Sequence, residues 1–329
     1  RLLVQYVKVA SVPGLESDRT LKKLLGFKLF EITLPPGTEE EGKDFKKIIA
    51  TMEQLYAGLL SISDGKDKVP YQNYFTLEIA LSSLSDEVVF YSAIPEGKEN
   101  LFEKQLVALY PKARIREATD DYNIFSENGA SLGAYAEFTA SPLLPLKTAE
   151  QFESDPINVL LGVFSKLKKN GEGAALQFTV LPAGGHFLKQ YGMALDQVRR
   201  GMSVKEASSI VLTFGGGVKK SVKDFFLGVP KENKEQKTAD ELGVKYITEK
   251  IGSSIVNTNI RVIASAGTLT RAEEILSELE SAFNQFTLPH GNSISFTPET
   301  KRSKLHKLFH EFSYRTFSYE YALPLNLKE

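Results

Sequence analysis

Three groups of residues in the chain have types and spacings that could do chemistry. The first is Gly215 to Ser221 (GGGVKKS), which suggests a phosphate loop. A P-loop has the pattern G-x-x-x-x-G-K-[ST], whose last glycine directly precedes the lysine so that backbone N–H groups surround the phosphate. Here Val218 and Lys219 separate the last glycine from Lys220. The segment therefore does not predict nucleotide binding.

A histidine pair forms the second group. His306 and His310 are four residues apart on a predicted helix, so they could share a face and bind a metal ion. Zinc hydrolases with this spacing place a glutamate inside the pair as general base. Here Lys307, Leu308 and Phe309 lie between the histidines, and the lysine would oppose a cation. We expect surface or half-buried histidines rather than a metal site.

Neighbouring acids form the third group, at Asp120–Asp121 and Glu39–Glu41. Paired carboxylates can act as general acid and base. Runs of acids in loops and at helix starts are usually solvated or capping, and no G-x-S-x-G nucleophile motif accompanies them. We expect no catalytic residue, no metal site and no cofactor in this chain.

The composition excludes several classes of protein. The chain has 329 residues, a formal net charge of −1 and no cysteine. The length predicts about two domains, and the near-zero charge gives no global field toward nucleic acid or anionic lipid. Without cysteine there is no disulfide, thiolate metal site or cysteine nucleophile. No apolar run approaches the ~20 residues that span a bilayer.

The first half of the chain alternates between the strand period of two and the helix period of 3.6. The predicted elements are strand Phe27–Leu34, helix Phe45–Leu59, strand Tyr74–Leu81, strand Val88–Ala93, helix Phe102–Tyr110 and strand Ala113–Thr119. The order β-α-β-β-α-β predicts a ferredoxin-like domain over residues 27–119.

The stretch Asn257–Phe286 predicts a strand that leads into a helix. Ile260 lies on the apolar side of the strand and Leu276 on the apolar stripe of the helix. Both are expected core positions. Arg261 points to the other face and is expected to tolerate substitution by alanine.

The remaining elements predict a second α/β sandwich domain, so the fold class is α/β in α+β layers. The predicted boundaries are an N-terminal extension (1–26), the ferredoxin-like domain (27–119), a linker (120–131), the second domain (132–311) and a connector (312–329). A long insert, about 184–240, interrupts the second domain. We expect proteases to cut first between Gly215 and Asp240, because this part buries little apolar surface.

The insert contains a cluster of lysines in an otherwise near-neutral chain. These are Lys219, Lys220, Lys223, Lys231, Lys234 and Lys237. Two interpretations stay open: the lysines only keep the insert soluble, or they are partner-contact residues for DNA, an anionic membrane surface or an acidic partner. Asp224, Glu232 and Glu235 are interleaved and weaken the local field, so any binding to DNA is expected to be weak and salt-dependent.

Several short segments together resemble one family. They are Phe30–Leu34, Phe90–Pro95, Glu103–Pro111, Pro145–Thr148, Asp155–Ile157, Leu176–Phe178, Asn259–Val262 and Leu325–Glu329. In these the chain is similar to the N-terminal, non-catalytic region of bacterial type IV secretion or conjugative DNA-transfer ATPases of the HerA/FtsK class. The resemblance spans about Phe27 to Glu329. The chain departs from it in the lysine-rich insert and in the segment before Phe27.

The resemblance implies an accessory or assembly domain that is not itself an enzyme. In that family a P-loop ATPase domain follows this region, often after an N-terminal membrane anchor. It implies a cytoplasmic, membrane-associated protein that forms homo-oligomers through the ATPase domain and contacts secretion-machinery or membrane proteins. The alternative that the residues leave open is a stand-alone two-domain α/β enzyme with a cleft between its domains.

Overall fold

A computed structural model describes residues 26–33, 45–63, 73–85, 87–126, 128–168, 171–214 and 240–329. The strands are β1 (Phe27–Thr33), β2 (Phe75–Leu81), β3 (Val88–Pro95), β4 (Arg114–Glu117), β5 (Ala130–Phe138), β6 (Gly173–Pro182), β7 (Ile255–Ala266), β8 (Ile294–Pro298) and β9 (Leu323–Asn326). The helices are α1 (Phe45–Leu59), α2 (Glu99–Leu109), α3 (Ile157–Ser165), α4 (His186–Arg199), α5 (Val204–Phe214), α6 (Glu241–Lys250), α7 (Leu269–Ala282) and α8 (Arg302–Ser313). The predicted mixed α+β class is confirmed.

The described strands form one antiparallel sheet in the order β4-β1-β3-β2-β6-β7-β5-β8, with β9 paired to β7. The first four have the split β-α-β-β-α-β topology predicted for residues 27–119. The last four repeat it: β5, α3, β6, β7, α7 and β8 have the same chain order and the mirrored sheet order. The two halves meet where β2 pairs with β6 along the whole of β2, from Phe75↔Val180 to Leu81↔Ala174.

The repeat extends to individual residues. Glu78 pairs with Gln177 at the junction of the halves, and their outer neighbours are Tyr91 and Arg261 respectively. With Tyr91 aligned on Arg261, identical residues follow in step: Gly97 with Gly267, Glu103 with Glu273, Leu106 with Leu276 and Leu109 with Leu279. Helices α2 and α7 also begin at aligned positions. The chain is therefore built from an internal structural repeat, which the sequence analysis does not predict.

One face of the sheet is covered by α1, α2, α3 and α7. Alternate strand residues point to this face, as the period of two requires. In the first half Phe30, Phe75 and Phe102 pack together, and in the second half Ile260 and Leu276 belong to the larger cluster. Ile260 and Leu276 are each 2% exposed, which confirms the prediction that they are core positions.

The opposite face of the sheet is covered by α8. Leu308 and Phe312 on this helix pack against Ala175, Ile263 and Tyr135. As a result β7 is buried on both sides, and Arg261 has no exposed surface. The prediction that Arg261 tolerates alanine assumed that its side of the strand faces solvent. That assumption is wrong, because α8, which is distant in sequence, covers that side.

The connection between β6 and β7 contains the described part of the insert. Helices α4, α5 and α6 pack on one another around Tyr191, Val198, Ala207 and Ile247, separately from the main core. Asp240 caps α6 by accepting a hydrogen bond from the Gly243 N–H at 2.8 Å. The insert replaces the short turn that joins β2 to β3 in the first half. Residues 215–239 lie outside the described residues, so the expected proteolysis site stays a prediction, as do the domain boundaries.

Candidate functional site

A row of polar residues crosses the α8-covered face of the sheet. The strand register aligns Glu31, Tyr91, Glu78, Gln177, Arg261 and Tyr135 side by side on six neighbouring strands. Because directly paired residues point to the same side of an antiparallel sheet, their side chains share one face. We call one group of side chains on this face the polar cluster. It consists of Tyr91, Glu78, Gln177, Arg261 and Tyr135 from the row and of Asp121, Tyr122, Glu311 and Arg315 from the segments that lie over the sheet.

The carboxylate of Glu78 is the centre of the polar cluster. Both of its oxygens accept hydrogen bonds from Arg315, from Nε at 2.9 Å and from Nη2 at 3.1 Å. The Tyr122 hydroxyl donates at 2.7 Å, and Gln177 donates through Nε2 at 3.0 Å. Thr76 donates from the same strand at 2.7 Å. This buried carboxylate is therefore fully supplied with donors, as a buried charge must be.

Arg315 joins this carboxylate to a second one. Its Nη1 and Nη2 donate to Asp121 at 3.0 and 2.8 Å. Burial by itself would lower the pKa of Arg315, but attraction to Glu78 and Asp121 raises it well above the usual arginine value. Burial, reinforced by the charge of Glu78, raises the pKa of the Tyr122 hydroxyl. The guanidinium is thus a permanent cation that holds two carboxylates and two chain segments together.

Arg261 forms the other half of the cluster. Its Nη1 donates to Gln177 Oε1 at 2.7 Å and to Thr179 Oγ1 at 3.1 Å. Its Nη2 donates to the backbone carbonyl of Thr316 and lies 3.8 Å from Glu311 Oε2. No described group accepts a hydrogen bond from its Nε. The guanidinium thereby ties the centre of the sheet to α8 and to the segment that follows it.

Residues 314–329, the C-terminal segment, are held by further specific contacts. The Asn259 amide donates to the carbonyls of Ser318 and Tyr321 at 2.7 and 2.9 Å and accepts from the Ser318 N–H at 2.6 Å. The Tyr321 ring stacks on Tyr135 with centroids 3.9 Å apart and planes 1° from parallel. Arg315 has a φ of 56°, an uncommon conformation that such contacts must stabilise.

The last residue is also fixed. The Glu329 carboxylate accepts from Lys250 Nζ, and both side chains have no exposed surface. It also accepts backbone hydrogen bonds from Leu146 at 2.9 Å and Asn326 at 2.8 Å. Burial lowers the pKa of Lys250, although the charge of Glu329 opposes that shift. Since Lys250 ends α6, this pair connects the insert to the C-terminal segment.

The chemical capacity of the polar cluster follows from these contacts. Catalytic acids, bases and metal ligands need a lone pair or proton that can reach a substrate. Here the oxygens of Glu78 and Asp121 are directed at Arg315. Glu78 is buried, whereas Asp121 is partly exposed. Among the described residues, no group of three or more His, Asp or Glu side chains is placed to hold a metal ion. The arrangement is suited to holding the C-terminal segment in one position.

The residues singled out in the sequence fall in different places. The six insert lysines, Lys219, Lys220, Lys223, Lys231, Lys234 and Lys237, lie outside the described residues. His306 and His310 are exposed on α8, and the His310 ring packs on Tyr314 at 4.4 Å. Asp121, considered above only as one of a pair of adjacent acids, belongs to the polar cluster.

Sequence reasoning missed Glu78, Arg261, Glu311 and Arg315 as a group. A local signal exists for two of them, because Glu78 and Arg261 each interrupt an apolar strand (FTLEIAL and NIRVIA). A charge in such a strand points either to solvent or to a buried partner. Nothing near them in sequence indicates the partner, since Arg315 is 237 residues from Glu78.

The fold and the polar cluster define a class: an α+β protein with two β-α-β-β-α-β halves in one sheet, whose second face is closed by its C-terminal helix and segment. The chain belongs to the family described as domain of unknown function (DUF8128), whose model matches residues 42–325. A comparison with curated proteins finds no significant match. Within the described ranges, none of the helices combines the length and apolar character that a bilayer crossing requires.

Proposed function

We propose that this chain is a non-catalytic assembly domain of a membrane-associated ATPase that translocates DNA or protein, of the type IV secretion or conjugative DNA-transfer class. Its role is to position neighbouring parts of the machine. Oligomerisation occurs through the ATPase domain, and contact with the membrane through an anchor or a membrane protein partner. The short segments from Phe30 to Glu329 that resemble this class are the basis for naming it.

The observation that carries an assembly role is the way residues 311–329 are held. Arg315 and Glu311 join this stretch to the centre of the sheet, β9 pairs with β7, and Glu329 pairs with Lys250. In the ATPases that the sequence resembles, the P-loop domain follows this region. A stretch fixed at so many points would transmit the position of the sheet and of the insert to that domain.

The contacts between the halves favour this role over a two-domain enzyme. An interdomain cleft needs a boundary that is open to substrate. Here β2 and β6 pair from Phe75↔Val180 to Leu81↔Ala174, which closes the boundary with a continuous sheet. The charged groups that meet there, Glu78 and Arg315, are engaged with each other.

The gene tests the proposal directly. We expect the reading frame beyond the codon for Glu329 to encode a G-x-x-x-x-G-K-[ST] motif within a few hundred residues. The full-length protein should then hydrolyse ATP, and substitution of the motif lysine by alanine should abolish hydrolysis. A stop codon immediately after the codon for Glu329 would contradict the proposal.

A further inference from the structure

The exposed side of α8 is unusually basic. Its apolar side, formed by Leu305, Leu308 and Phe312, is buried on the sheet. The basic residues Lys301, Arg302, Lys304, His306, Lys307 and His310 are exposed at its start and along its outer side. We call these six residues the α8 basic face. In a chain of net charge −1, this is a local concentration of positive charge on a rigid element.

Of the four lysine and arginine side chains on this face, Lys304 and Lys307 are paired with acids. Lys304 lies 3.6 Å from Glu299, and Lys307 lies 2.9 Å from Glu320 and 3.8 Å from Glu311. No described acid forms an ion pair with Lys301 or Arg302, or with either histidine. Arg302, His306 and His310 recur every four residues, so their side chains follow one line along the helix at intervals of about 6 Å.

The position of these charges works against the helix itself. Cations near a helix N-terminus oppose the helix dipole, and acids are preferred there. The first turn of α8 contains no acid, and Lys301, Arg302 and Lys304 lie at that end. A departure from a local rule without a visible structural gain is expected at functional surfaces.

We infer that the α8 basic face binds the phosphate backbone of nucleic acid. Lys301, Arg302, Lys304 and Lys307 are exposed cations held on one rigid helix, an arrangement that suits a polyanion with regularly spaced phosphates. Insertion into a membrane would need an apolar face, and that of α8 is packed on the sheet. The exposed Tyr319 in the C-terminal segment, 76% accessible, provides an aromatic ring of the kind that stacks on bases. The choice of nucleic acid among polyanions rests on the proposed function.

Binding is measured by fluorescence anisotropy with labelled 20-bp duplex and single-stranded DNA between 50 and 200 mM salt, using the whole chain. The variant is Lys301→Glu/Arg302→Glu, since both side chains are exposed. The matched control is Lys104→Glu/Lys112→Glu, which makes the same change in net charge on exposed residues at α2. A third variant reverses Lys219, Lys220 and Lys223 in the insert.

We expect the α8 variant to lose at least tenfold in affinity at 50 mM salt. The slope of log affinity against log salt should fall by about two, one for each lost phosphate contact. The control should lose much less affinity and unfold at the wild-type denaturant midpoint. The α8 variant should unfold at that midpoint or slightly above it, because acids are preferred at a helix N-terminus. The inference is overturned if the α8 variant binds as wild type, if only the insert variant loses binding, or if the chain binds phosphatidylserine vesicles but not DNA.

These outcomes are separate from those of the proposed function. DNA binding by the chain does not depend on what the gene encodes beyond the codon for Glu329. If the gene encodes a P-loop motif but the chain does not bind DNA, only the inference about the α8 basic face is refuted. If the gene lacks the motif but the chain binds DNA through Lys301 and Arg302, only the proposed assembly role is refuted.

Discussion

Glu78 and Arg315 form a bidentate ion pair at 2.9 and 3.1 Å across the junction between the two halves of the sheet, although 237 residues separate them in sequence. Glu78 lies on the strand by which the first half joins the second. Arg315 follows the helix that closes the second half. The pair therefore links the first half of the sheet to the C-terminal segment.

Removal of Arg315 should be strongly destabilising. Arg315→Ala leaves Glu78 buried without its cation, a change that typically costs about 3–5 kcal/mol. Unfolding in urea, followed by circular dichroism, measures the loss. The control is Arg116→Ala, which removes an exposed ion pair with Glu31 and should leave the midpoint unchanged. Equal midpoints for the two variants would show that the Glu78–Arg315 pair does not contribute.

Arg261 should be as sensitive as the core residue beside it. Ile260→Ala is expected to cost about 2–5 kcal/mol through the lost burial and the cavity. Arg261→Ala leaves the buried Gln177 and the Thr316 carbonyl without a donor, at about 1–3 kcal/mol for each unsatisfied group. Arg200→Ala, on an exposed side chain, is the control. A loss of only a few tenths of a kcal/mol for Arg261→Ala would mean that this face opens to water.

Glu280 should make stability depend on pH. Burial raises the pKa of its carboxyl from 4.5 to about 7, and no described group donates to its Oε1. The folded state therefore retains the proton, so the stabilising contribution is complete below pH 4.5 and is lost as the pH rises to about 7. The free energy of unfolding of Glu280→Gln should equal that of wild type at pH 4.5. At pH 8 it should be higher than that of wild type by about 1–3 kcal/mol, a difference that the partial exposure of the side chain reduces.

The matched control for this charge is Glu273→Gln, an exposed position on the same helix. Like Glu280→Gln it removes one negative charge, but from an exposed side chain. Denaturant titrations at pH 4.5, 6 and 8 supply the comparison. If the difference between Glu280→Gln and wild type is the same at all three pH values, the carboxyl does not titrate in this window.

The Lys250–Glu329 pair should control the order of β9. Lys250→Met leaves the Glu329 carboxylate buried and should cost about 3–5 kcal/mol. Hydrogen exchange at the Leu323 and Leu325 amides should accelerate. The double variant Lys250→Met/Glu329→Gln removes both charges and should recover part of the loss. A double variant less stable than Lys250→Met would argue against an ion pair at this position.

Local patterns were sufficient to predict most of the first half. The alternation in Phe27–Thr33 and Phe75–Leu81 and the apolar stripe of α1 are set by neighbouring residues, so they can be found without the fold. The order of these elements then restricts the topology to few arrangements. Ile260 and Leu276 were found in the core for the same reason.

The sequence by itself determined the types of the elements in the first half, the apolar face of β7 and the absence of disulfides and thiolate sites. These properties depend on residue type and on spacings of two to four residues. Only the tertiary structure decided that the second half repeats the first, since the repeat is interrupted by the insert and shares few identities. The same holds for the burial of Arg261 and for the pairing of Glu78 with Arg315. Whether a strand charge faces water or a partner depends on which distant helix covers that face, and α8 lies far along the chain from Glu78.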